Sequence, residues 1–141
     1  MENPHFSSPQ IDGQQYLAQR AAECMVRSLG ATQVSLRVAE PSSGDTESQL
    51  GITSPTVEDV PLLPAVVLMV SGPHEPRARY EVRLSRASVE QAASMYQVDD
   101  MATWLLTAAA LVYGDKVLHI DSVLVDRHAG AEYLYHIFVS E

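Results

Sequence analysis

Residues 114–141 read GDKVLHIDSVLVDRHAGAEYLYHIFVSE. Leu118 and Ile120 alternate with Val117, His119 and Asp121, the period-two pattern of a strand with one face buried and the other wet. The stretch predicts two strands, at about 116–125 and 132–139, joined through DRHAGA, where Gly130 permits a positive φ. On this reading the histidines and aspartates decorate the outer face of a hairpin whose apolar residues close the core.

Upstream, RARYEVRLS at 77–85 alternates in the same way, with Tyr80, Val82 and Leu84 inward and Arg77, Arg79, Glu81 and Arg83 outward. AVVLMVSG at 65–72 is a continuous apolar strand, expected to be covered on both faces, and SGPHEP turns the chain between the two. ATQVSLRV at 31–38 is another half-buried strand, pointing Val34, Leu36 and Val38 inward. Between 85 and 114, ASVEQAASMYQ and DDMATWLLTAAAL predict two short helices. Ser88 with Gln91 reads as a capping box, Asp99 and Asp100 start the second helix, and Trp104 and Leu105 anchor it.

Residues 1–11 are polar, hold Pro4 and Pro9, and predict a flexible arm. Residues 12–30 predict a helix capped by Asp12 and Gln15 and stopped by Gly30, with Leu17, Ala21, Cys24, Met25 and Leu29 as its core-facing stripe. The lone cysteine excludes an internal disulfide and is expected as a small buried hydrophobe. The segment at about 40–64 carries Pro41, Pro55, Pro61 and Pro64 and predicts a long extended loop, far beyond ordinary connection lengths. Its Leu50, Ile52, Val57, Val60, Leu62 and Leu63 need an apolar surface, which the chain's own body would supply in a monomer and a neighbouring subunit in an assembly. The fold expected is α+β: a small antiparallel β-barrel or sandwich with an N-terminal helix, that long loop and two inserted helices, all one domain over 12–141.

The chain has 141 residues, 46% of them hydrophobic and 19% charged, with a net charge of −9. An acidic balance argues against a module that reads nucleic acid, since phosphate contacts need a basic surface. No apolar run approaches the roughly 20 residues that span a bilayer, and the first residues lack the pattern of a signal peptide, so a cytosolic origin is expected. The chain holds no P-loop, GxGxxG or HExxH. Asp99 and Asp100 are adjacent on a helix and point about 100° apart, poor geometry for an acid–base pair. His74 sits in a turn without a partner ligand in sequence, and Asp126-Arg127-His128 lacks a nucleophile. His119, Asp121 and His136 could share a strand face and ligate a metal, and a small metal-dependent hydrolase is therefore one rival reading. A second is a regulatory domain binding a small molecule in the cleft beside the long loop. Neither reading is preferred: no enzyme, cofactor or metal site is expected.

Arg77, Arg79 and Arg83 form a basic stripe, and 41–64 carries Asp45, Glu47, Glu58 and Asp59 with no basic residue. The stripe can therefore receive the acidic segment of an adjacent copy, Asp59 included, because the guanidinium fork grips carboxylates.

The closing run Gly114 to Val123, GDKVLHIDSV, resembles the end of head-closure and head–tail connector proteins of tailed phages, where a GD-x-ψ-x-ψ-x-G-x-x-ψ-x-V pattern marks the last turn of a small β-barrel. DVPLLPAVVLMVSG and RYEVRLSRASVEQ are similar to phage-like proteins as well, so the resemblance covers about 57–141. The chain departs from it at Asp121-Ser122, where glycine is usual, in its N-terminal helix, and in the helices at 87–111. The resemblance implies a non-enzymatic, ring-forming neck or tail component of a virion or phage-like particle, contacting portal, adaptor or tail proteins. Double-stranded DNA would pass an acidic lumen without specific binding.

Overall fold

A computed structural model describes residues 9–29, 32–39, 50 and 56–141. Six antiparallel strands close into a barrel: β1 (Thr32–Ala39), β2 (Val57–Met69), β3 (Arg79–Ser85), β4 (Ala110–Tyr113), β5 (Lys116–His128) and β6 (Ala131–Ser140). Around the barrel the order is β1-β2-β3-β6-β5-β4, and β4 pairs back onto β1. Three helices accompany it: α1 (Pro9–Leu29), α2 (Arg86–Ala93) and α3 (Met101–Thr107). The α+β barrel with an N-terminal helix expected from the alternating strands is the fold observed.

The hairpin at the C-terminus follows its periodicity. Leu118 and Ile120 are buried while Val117, His119 and Asp121 face out. From β6, Tyr135, Ile137 and Val139 enter the main core beside Val34, Leu36, Val82 and Leu84. Ala129 and Gly130 both take positive φ, +51° and +81°, and make the tight two-residue turn that matches strand twist. The hairpin is longer than its alternation suggests, because β5 continues to His128.

Four departures from the sequence reading have physical causes. First, the segment at 40–64 is not loop throughout: β2 begins at Val57, and Val60 and Leu62 are interior residues of the chain's own barrel. Pro61 is tolerated there because of backbone direction. The carbonyl of Arg37 accepts from the Ala109 N–H on the β4 side, so Arg37 and its partner Asp59 point their main-chain groups away from each other. By the same alternation Pro61, opposite Ser35, turns its nitrogen to the unpaired side of β2, where a missing N–H removes no ladder bond.

Second, TAAAL does not complete a helix. α3 stops at Thr107 and Ala110–Tyr113 becomes β4, a four-residue strand that opens on an alanine of low strand propensity and is held by β1 on one side and β5 on the other. Third, α2 is capped by Ser85, whose hydroxyl accepts from the Ser88 N–H, so Ser88 is not the cap; its own hydroxyl is buried and donates to the Pro64 carbonyl. Fourth, α1 begins at Pro9, so three residues of the expected arm are helical and Asp12 is not the cap. Pro at a helix start costs no hydrogen bond. Residues 1–8, the stop at Gly30 and residues 40–49 and 51–55 lie outside the described residues.

α2 and α3 feed the main core through Val89, Ala92 and Leu105. α1 lies on the outer surface across β6, β3 and β2 and contributes a separate small cluster of Ala22 and Val26 with Val66, Leu134 and Tyr133. Beyond α1's reach, the apolar strand at 65–72 is uncovered on one face: Val66 is buried under the helix, but Leu68, Met69 and Val70 are exposed.

Candidate functional site

The largest difference between sequence reading and structure is the rotation of α1. Gln15 donates to the Ala129 carbonyl at 2.7 Å and Gln19 to the Glu132 carbonyl at 3.4 Å, which ties the helix to the closing hairpin. Ala22 and Val26 follow on the same side, one turn apart, and are buried. The stripe expected in the core faces out instead: Leu17 is 65% exposed and Leu29 63%, while Ala21, Met25 and Cys24 are also exposed. Cys24 is thus not a buried hydrophobe. Leu17, Ala21 and Met25, with His128 and Tyr133 from the hairpin, line a surface groove of about 500 Å³.

A second, larger groove of about 710 Å³ lies between β2 and α2. Leu63, Pro61 and Met95 give it apolar walls, and Gln33, Gln91 and Glu58 its polar ends. The Tyr96 hydroxyl donates to Glu58 at 2.8 Å, and the Tyr96 ring lies 5.7 Å from that of Trp104. α3 thereby fixes the end of the groove through Trp104, which packs against the main core.

The third locus is a chain of charges across β3, β6 and β5. His136 Nδ1 meets Glu81 Oε1 and its Nε2 meets Asp126 Oδ2, both at 2.7 Å, while Arg83 Nε donates to Glu81 at 3.0 Å. Glu81, expected on a wet face, is buried, with Arg83 and His136 lying against its carboxylate. The Arg83 guanidinium holds its carboxyl below the ordinary glutamate value, His136 adds to this, and burial opposes it. The ring bridges a carboxylate on β3 and one on β5 from its place on β6, so the cluster ties three strands together. It presents no nucleophile, and its acceptors are already engaged.

The sequence-derived metal trio is not assembled. His119 Nε2 lies 3.8 Å from Asp121 Oδ1, but His119 pairs with Ser140 in the ladder while His136 lies four residues back along β6, about 13 Å away. Among the described residues no group of three potential ligands is placed to hold a metal ion. Asp100 stands at the start of α3 and accepts from the Thr103 hydroxyl, which holds its carboxyl below the ordinary aspartate value; His74 is exposed in a turn.

The residues expected at an intersubunit contact are dispersed. Leu50, Val57 and Leu63 are exposed, Val60 and Leu62 are in the chain's own core, and Ile52 lies outside the described residues. Arg37 grips Asp59 with both fork nitrogens, at 2.8 and 3.0 Å. Glu75 holds Arg79 at 2.7 and 2.8 Å, Glu81 holds Arg83, and Arg77 is exposed. The basic stripe is therefore largely matched within the chain. The outward face of α1 was missed because two apolar arcs lie side by side on the helix, and only the glutamines at 15 and 19 mark the side that docks.

No family model, curated protein or solved structure matches the chain. No helix among the described residues is long and apolar enough to cross a membrane.

Proposed function

We propose that the chain is a structural assembly protein of a phage or phage-like particle, a ring-forming neck or tail component that acts through protein contacts. The observation that carries the docking part of this reading is α1: a helix pinned to the barrel on one side and presenting Leu17, Ala21, Cys24 and Met25 to solvent on the next. Contiguous exposed apolar surface on a globular protein marks a contact site. The Gly114–Val123 run, which opens β5 of the barrel, supports the narrower placement in a neck or tail through its resemblance to head-closure proteins. A closed barrel with a helix fixed on its wall is a rigid body of the kind that symmetric rings repeat.

Light scattering after size exclusion, with negative-stain imaging alone and together with portal and tail proteins, tests this. The wild-type chain is expected to form closed oligomers or to join the particle. Leu17→Glu with Met25→Glu is expected to abolish both while the barrel stays folded. A chain that remains monomeric at all concentrations and never joins a particle contradicts the proposal.

A further inference from the structure

The groove between β2 and α2 exposes a feature that its volume alone does not convey. β2 pairs with β1 over Val57 to Leu62 and again at Ala65, and with β3 only from Ala65 onward. Before Ala65, β2 has no strand partner on its β3 side among the described residues, because β3 ends at Ser85 and the chain turns into α2. α2 touches the strand at Pro64 through Ser88 and diverges toward Met95, leaving the groove open beside the strand edge. The main-chain direction set by the Arg37–Ala109 hydrogen bond turns the N–H and C=O of Asp59, and the C=O of Pro61, into this edge. An unpaired edge next to a helix, with apolar side chains flanking it, is the geometry in which an extended peptide adds as a further strand.

Charge selects the occupant. Glu58 is the one charged residue among the described residues lining the groove, and no basic group faces it there. A second copy would have to offer its own acidic 41–64 segment or another part of a chain with net charge −9, so self-docking is opposed. We propose that this groove docks an extended segment of a different protein by strand addition to β2, with apolar side chains at alternate positions and a basic side chain meeting Glu58. The inference deepens the assembly reading and rests on it for the partner's being a protein of the particle. Its edge and charge geometry do not depend on α1.

Panning a random nonapeptide library displayed on yeast against the full chain, then titrating synthetic versions of the recovered peptides into ¹⁵N-labelled protein, tests it. The recovered peptides are expected to be basic with alternating apolar residues. On binding, the Asp59 amide should exchange with solvent at least about tenfold more slowly, as a new ladder bond requires. Glu58→Lys should weaken binding by about tenfold, the effect of losing one charge-assisted hydrogen bond. Gln91→Trp, which fills the groove from its exposed rim, should abolish it, and thermal midpoints near wild type would show that both variants fold. Recovered peptides that are acidic, binding that survives Gln91→Trp, no recovered binder, or an Asp59 amide whose exchange is unchanged would each overturn the inference. That last result would mean a ligand held by side chains alone. Binding by a chain that never assembles would leave the groove standing and remove the assembly reading. Assembly without any groove binder would do the reverse.

Discussion

α1 and α2 pack on the same barrel and do different work. α2 closes the gap where β3 leaves the sheet, and its Val89 and Ala92 belong to the main core. α1 buries Ala22 and Val26 in a small cluster on the outside and leaves an equally apolar arc in water. A helix that completes a core has one constraint. A helix laid on a finished barrel keeps a second face, and selection can use that face for contacts.

The comparison breaks first at the two buried valines. Val89→Asp places an uncompensated charge in the main core and is expected to eliminate cooperative thermal unfolding altogether. Val26→Asp should be milder: α1 detaches and loses amide protection, while the barrel retains its near-ultraviolet signal and a sharp transition. Equal loss of fold in both variants would mean that α1 is as integral as α2.

His136→Ala sharpens the account of the outer wall beside α1. Removing the ring leaves Glu81 and Asp126 without the group that bridges them, and should cost about 2 kcal/mol in urea unfolding at neutral pH. The pH dependence has a definite sign. The Glu81 carboxyl is held below its ordinary value in the folded chain, chiefly by Arg83. Its contribution is therefore complete above the ordinary glutamate range and disappears as pH falls through the lowered folded value. Glu81→Gln should flatten the acid limb of stability against pH between about 5 and 3. An acid limb as steep as wild type would assign that limb to other carboxylates.

The smallest effect on stability should be the most informative for function. Leu17→Glu with Met25→Glu alters solvent-facing positions and is expected to move the unfolding free energy by no more than about 0.5 kcal/mol per site. A larger loss, measured by urea titration of the dilute protein, would mean that the arc is structural in the isolated chain.

Sequence legibility divides along the same line. The strands of the closing hairpin and of Arg79–Ser85 could be read because a period of two offers only two faces, and Tyr80, Val82, Leu118 and Ile120 left no ambiguity about which is inside. A helix offers a continuum of faces. Leu17, Ala21 and Met25 are no less apolar than Ala18, Ala22 and Val26, and only contact with the hairpin carbonyls decides between the arcs. β4 was hidden because Ala110 carries little strand preference and is placed by its neighbours. β2 was hidden by Pro61 and Pro64, which argue against a strand until the direction of its unpaired edge is known. The two grooves arise from elements distant in sequence, so local patterns could not announce them.

Cys24 gives the most direct test, since its thiol lies on the outward arc of α1 itself. Its rate of modification by a thiol reagent should be fast in dilute protein and fall by at least about tenfold once oligomers or particle components are present, as a covered surface requires. A rate that stays unchanged under conditions where the chain is demonstrably assembled would show that contacts form elsewhere, and would contradict the role assigned to that face.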